Sequence, residues 1–162
     1  FVALRKDIAE HFRWPAPSMS LPPTVGELLA DLMAERGWKG VDAWKKRADD
    51  IAPTLVGGSK KHGGPDLGPT RSKLAWAALG VDGRGLANEA PEPDFVGMPR
   101  LTVRMCARIQ GFPDDWHFSG KKTPMYRQDG NAFPPPVAHA VSQRIALAID
   151  TAAAQRMHRR VA

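Results

Sequence analysis

PRLTVRMCARIQGFPDDWHFSGKKTPMYRQDGNAFPPPVA, residues 99–138, holds the most specific wording in the sequence. Its first half predicts a short capped helix. Thr102 is a good N-cap, and Leu101, Met105 and Ile109 recur every four residues as one apolar stripe. Gly111 is placed to stop the helix, and Phe112-Pro113 prevents its continuation. Arg100, Arg104 and Arg108 repeat at the same spacing, so a cationic row lies beside the apolar one. The second half carries Tyr126-Arg127-Gln128 and then Gly130-Asn131-Ala132-Phe133-Pro134-Pro135. It reads as a Gly-Asn turn opening a helix whose first turn is proline, where a missing N–H costs nothing. Pattern alone allows a plainer reading, two amphipathic helices joined by a polar loop.

The wording narrows this. Arg100-Leu101-Thr102-Val103-Arg104, Ala107-Arg108-Ile109-Gln110-Gly111-Phe112-Pro113 and Gly130-Asn131-Ala132 through Ala138 closely resemble the last two motif blocks of the bacterial DNA (cytosine-5) methyltransferases. The likeness covers some forty positions in order and spacing. Two residues depart from it. Met105 stands where the family has Glu. At N3 behind Thr102, that Glu would complete a reciprocal capping box. Its loss predicts a deficit of about 0.5–1 kcal/mol, offset if Met105 packs in the core. Asp129 stands where the family has an apolar residue, and its carboxylate is expected to cap the next turn or to lie beside a cofactor pocket.

Outward from this stretch, the 162 residues suffice for one modest domain or two small ones, and fifteen Pro with fifteen Gly predict long loops between short elements. No apolar run is long enough to span a bilayer. One cysteine excludes an internal disulfide and suits a reducing, cytoplasmic setting. The five histidines show no metal-ligand spacing, so no metal is expected. The net charge of +6 is unevenly placed: residues 100–162 hold 10 basic and 4 acidic side chains, while the rest balances. That asymmetry favours a polyanionic partner.

Phe1 to Arg13 reads as the close of a strand followed by a short helix, and Trp14-Pro15-Ala16-Pro17 as an extended linker. Thr24 to Arg36 predicts a helix with a Thr24/Glu27 capping box and Gly37 as its stop. A shorter one is expected over Asp42–Ala48, and a turn or more of helix over Leu74–Leu79 with Trp76 buried. Between them, residues 53–73 hold five glycines and three prolines, which exclude regular structure through most of the segment. Lys60, Lys61, His62, Arg71 and Lys73 are strung along it. It is not a phosphate-binding P-loop, since Gly64-Pro65 stands where Lys-Ser/Thr is required. Residues 134–160 predict the longest helix, with Val137, Val141, Ile145 and Ile149 on one face.

The resemblance implies more. The fold class expected is α+β: a small DNA-recognition subdomain of long loops and short strands, plus C-terminal helices belonging to an α/β Rossmann-like methyltransferase domain otherwise absent from the chain. Residues 1–98 would be the target-recognition region, and 99–162 the last two motifs with the C-terminal helix. Double-stranded DNA would be met by Thr54, Lys60, Lys61, His62, Arg71, Lys73 and Arg100. Gly130, Asn131 and Ala132 would close the site of S-adenosylmethionine, the methyl donor. The family's nucleophile sits in a Pro-Cys dipeptide, and Cys106 follows Met105 inside a helix, so Cys106 is expected to be a core residue and no catalytic residue is assigned. The chain is then expected to be a segment of a longer enzyme, inert alone, with the catalytic domain as its other partner. The alternatives are a stand-alone DNA-binding module without catalysis and an interaction domain whose basic end serves solubility.

Overall fold

The computed structural model describes residues 1–57 and 64–161. The regular elements among them are all helices: α1 (Lys6–Ala9), α2 (Val25–Ala34), α3 (Val41–Arg47), α4 (Thr70–Ala78), α5 (Val103–Gln110), α6 (Lys122–Gly130) and α7 (Pro135–Val161). No strand occurs among the described residues, so the α+β expectation with short strands is overturned. The reason is local. Residues 1–5 have no regular structure and no neighbouring ladder, and the loops pair only through isolated bonds. Asp82 N–H donates to the Pro99 carbonyl (2.9 Å), Ala87 N–H to Leu101 (2.9 Å) and Leu67 N–H to Gly83 (3.0 Å). Pro91, Pro93 and Pro99 supply no donors with which such pairs could extend into a ladder.

The chain forms two compact units, Leu21–Ala132 and a second made of Phe1–Ser20 with Phe133–Ala162. In the larger unit, α2 starts as predicted. Thr24 Oγ1 accepts from Glu27 N–H (3.2 Å), and Thr24 N–H donates to the Glu27 carboxylate (2.9 Å). Its face of Val25, Leu29, Leu32 and Met33 is buried against Trp38, Trp44, Leu101 and Met105. Arg47 on α3 donates to the Ala77 and Ala78 carbonyls (2.7 and 3.2 Å), satisfying the C-terminal end of α4. That helix begins at Thr70, earlier than the Gly/Pro composition suggested, and Trp76 on it is fully buried. Helix α5 runs from the Thr102 cap to Gly111, whose φ of 85° is the left-handed stop only glycine adopts freely. Met105 does not simply delete the reciprocal cap. Its Sδ lies 3.4 Å from Thr102 N, a weak acceptor in place of a carboxylate, and the side chain is 1 % exposed.

In the smaller unit α1 packs on α7. Arg156 donates to Asp7 (3.2 Å) and Arg144 to the Arg13 carbonyl (2.9 Å), and Ala148 and Ala152 are the buried residues of α7. Of the predicted apolar face, Val137 and Ile149 are exposed and Val141 and Ile145 half-buried.

Candidate functional site

The arginine row of α5 stands at the predicted spacing, but each guanidinium is held by acids from distant segments. Arg100 Nε donates to Asp82 (3.0 Å), which also accepts from Arg84 Nε (2.8 Å). The two guanidiniums hold the Asp82 carboxyl well below the usual carboxylate range. Arg104 pairs with Glu35 (3.4 Å) and Asp114 (3.5 Å). Arg108 grips Asp114 in a two-pronged contact, reaches Asp31 (2.6 Å) and donates to the Leu28 carbonyl of α2 (3.1 Å). These carboxylates raise the affinity of Arg108 for its proton and lower that of Asp31 and Asp114. Arg104 and Arg108 therefore lock α5 to α2 and to the loop after α5, Arg100 ties the segment before α5 to the loop after α4, and the charge of the row is largely neutralised.

The recognition residues divide into three groups. Lys73 on α4 donates to Asp66 (2.6 Å), both half-buried. Arg71 in the first turn of α4 and Thr54 are exposed, while Leu55 beside Thr54 is buried. Lys60, Lys61 and His62 lie outside the described residues.

The Gly-Asn turn is the C-terminal end of α6, a helix that sequence patterning missed. Gly130 meets Gly57 backbone to backbone. Gly57 N–H donates to the Gly130 carbonyl (3.1 Å), and a Cβ placed on Gly130 would stand 2.6 Å from Gly57 Cα. Tyr126 Oη, four residues earlier, donates to the Val56 carbonyl (3.0 Å), and Gln110 Nε2 on α5 donates to the Asp129 carbonyl (3.2 Å). Asn131 is exposed and gives one amide hydrogen to the Arg127 carbonyl (2.8 Å). Thus the structure joins Gly130, Asn131 and Ala132 to the segment Leu55–Gly57, which runs in sequence straight into residues 58–63. It does not join them to Arg100, whose partner is Asp82.

Beneath the turn, the Asp129 side chain is fully buried, and neither carboxylate oxygen has a partner among the described residues. Burial pushes its pKa up to about 7. Cys106 and Tyr126 lie buried beside it, and burial together with the Asp129 charge pushes both of their pKa values up. Cys106 is accordingly a packed thiol and a poor nucleophile. The apolar family position at 129 was the only sequence signal for this burial. A separate cleft of about 640 Å³ lies at the N-terminal ends of α5 and α6, lined by Arg36, Asn88, Thr102, Arg104, Lys122 and Met125 among others.

Comparison with known proteins places this arrangement. The profile of the C-5 cytosine-specific DNA methylase family matches residues 1–147. The chain belongs to that family. It is 57 % identical over 152 residues to the Type II methyltransferase M.NaeI of Lentzea aerocolonigenes, covering 92 % of this chain and 37 % of that protein. It is 52 % identical over 152 residues to the Type II methyltransferase M.NgoMIV of Neisseria gonorrhoeae, covering 92 % of this chain and 48 % of that one. A plant relative, DNA (cytosine-5)-methyltransferase 3 of Arabidopsis thaliana, is 34 % identical over 131 residues, 77 % of this chain and 9 % of the relative. The chain thus spans less than half the length of each of these relatives. No described helix is long and apolar enough to cross a membrane.

Proposed function

We propose that this chain is the DNA-recognising and cofactor-closing part of a DNA (cytosine-5-)-methyltransferase. The complete enzyme would transfer a methyl group from S-adenosylmethionine to C5 of cytosine in a specific duplex site, as part of a restriction-modification system. Residues 1–98 would carry recognition, and 99–162 the last two motifs with the C-terminal helix. The reading draws on family membership and on one observation above all: the Gly130–Asn131 turn and the root of the Gly/Lys-rich segment are held together at Gly57.

Each part has a physical role. The Arg108 lock fixes α5 to α2, giving the loops a rigid base. Thr54, Lys60, Lys61, His62, Arg71, Lys73 and Arg100 would face duplex DNA. Lysines and arginines would meet phosphates, and the glycines would allow close backbone approach. Lys73 and Arg100 would have to exchange a carboxylate for a phosphate. The turn fits one edge of a cofactor site. Asn131 is exposed, and its carboxamide has a second N–H and a carbonyl beyond the bond to Arg127, suited to the amino-acid end of S-adenosylmethionine. Bound there, the cofactor supplies the methyl group. The buried Cys106 thiol would take no part, and the attacking cysteine would come from a catalytic domain outside this chain.

A radiolabelled-methyl assay on duplex DNA tests the proposal. No incorporation is expected from this chain alone. Incorporation is expected when it is mixed with a Pro-Cys-bearing catalytic domain of the family. Transfer by the chain alone would refute the division of labour.

A further inference from the structure

We propose that Tyr126 and Gly57 are positioning residues that tie the root of the DNA-reading segment to the Gly130–Asn131–Ala132 turn, so that seating duplex DNA orders the edge of the cofactor site. The inference rests on the functional reading above and goes beyond it. Nothing in that reading requires recognition and cofactor closure to be mechanically joined.

Three contacts make the joint. Tyr126 Oη donates to the Val56 carbonyl (3.0 Å), Gly57 N–H donates to the Gly130 carbonyl (3.1 Å), and the facing glycines leave no space between the two backbones. A Cβ on Gly57 would meet the Asn131 amide nitrogen at 2.6 Å, and one on Gly130 would meet Gly57 N and Cα at 2.6 Å. The turn itself is closed by Ala132 N–H donating to the Asp129 carbonyl (2.9 Å), which also accepts from Gln110 (3.2 Å). A displacement of Val56–Gly57 therefore reaches Asn131 directly, through van der Waals contact and two hydrogen bonds. Leu55, buried in the core, anchors the other side of the joint. Tyr126 is itself 1 % exposed, and its hydroxyl reaches the loop from a ring fixed in the core beside Cys106.

Gly57→Ala drives a methyl into the Asn131 amide and disturbs the turn wholesale, so Tyr126→Phe is the sharper variant: it keeps the ring and removes one hydrogen bond. The measurement is residue-resolved amide exchange, with and without a short mixed-sequence DNA duplex whose binding is followed in parallel by fluorescence anisotropy. In the wild-type chain the duplex should slow exchange at Gly57 and Ala132 together, by about three- to tenfold, the scale of one hydrogen bond. In Tyr126→Phe the duplex should still bind, but the slowing at Ala132 should fall within about twofold of none. A purely structural role for Tyr126 would leave the duplex-induced change intact. Duplex binding with no change at Ala132 in the wild type, or an equal change in Tyr126→Phe, overturns the coupling alone. Absence of duplex binding at low salt overturns the DNA reading and the coupling with it.

Discussion

Replacing Asp129 by Val should stabilise the larger unit, and by an amount that depends on pH. The Asp129 carboxyl is fully buried with both oxygens unpartnered among the described residues, and its pKa stands at about 7 against an ordinary value near 4. Below about pH 4 both folded and unfolded chains carry the proton, and only the desolvation of a neutral carboxyl is lost. Between about 4 and 7 the unfolded chain ionises while the folded one keeps its proton, so stability falls as pH rises. Above 7 the loss is constant at about 4 kcal/mol, from about three pKa units at 1.36 kcal/mol each. Valine removes this loss but is slightly larger than Asp, and overpacking returns about 1 kcal/mol. The expected gain is about 3–4 kcal/mol at pH 8 and about 1 kcal/mol at pH 5, or about 10 °C and about 3 °C in Tm for a chain of this size. Urea unfolding at both pH values checks it, with Asp129→Asn as the comparison. Asn abolishes the pH dependence yet leaves an unpaired polar group buried. A gain equal at pH 5 and pH 8, or no gain, would refute the placement of an ionisable carboxyl in this seam.

Other substitutions test other joints. Arg108→Met leaves Asp31, Asp114 and the Leu28 carbonyl without their shared donor and should cost about 2–3 kcal/mol in chemical denaturation; a loss under about 0.5 kcal/mol would mean that the lock carries no stability. Met105→Glu trades a buried thioether for a full reciprocal cap. Burial is worth about 1.5–3 kcal/mol and the cap about 1 kcal/mol, so Tm should fall slightly and a rise would show the side chain to be poorly packed. Asp82→Asn should destabilise at pH 7 by about 1–2 kcal/mol. Since the folded carboxyl titrates below its ordinary range, that difference should shrink as pH drops below about 4, which thermal melts at pH 7 and pH 3 would reveal.

Where cap and stripe coincide, the helices were legible from residues alone. Thr24 with Glu27 and Thr102 with Gly111 mark α2 and α5, and both form with the predicted caps. Helix α6 was not legible, because Lys122–Gly130 contains Pro124, ends in Gly130 and lacks an apolar period. It is held by tertiary burial of Tyr126 instead of local preference. The strand expected at Phe1–Leu4 rested on a short apolar run. A strand has no local stability without a neighbour to pair with, and none is present among the described residues. The arginine row was visible as spacing, yet its partners come from far along the chain. Asp31 lies 77 residues from Arg108 and Glu35 lies 69 from Arg104. Periodicity cannot report such neutralisation, so a cationic face was expected where a bonded lock is found. The same limit hid the Gly57–Gly130 contact, since neither glycine carries a pattern that points to the other.

The central claim, that this is the DNA-reading part of a C-5 cytosine methylase, is tested most directly by duplex affinity as a function of salt. Fluorescence anisotropy should give a linear fall of log K with log salt, with a slope of about −4.5 if Lys60, Lys61, Arg71, Lys73 and Arg100 each meet a phosphate. Replacing Lys60, Lys61 and Arg71 by alanine should flatten the slope to about −2, the share left to Lys73 and Arg100. No binding to duplex at low salt, or an affinity and slope indifferent to the triple substitution, would contradict the account.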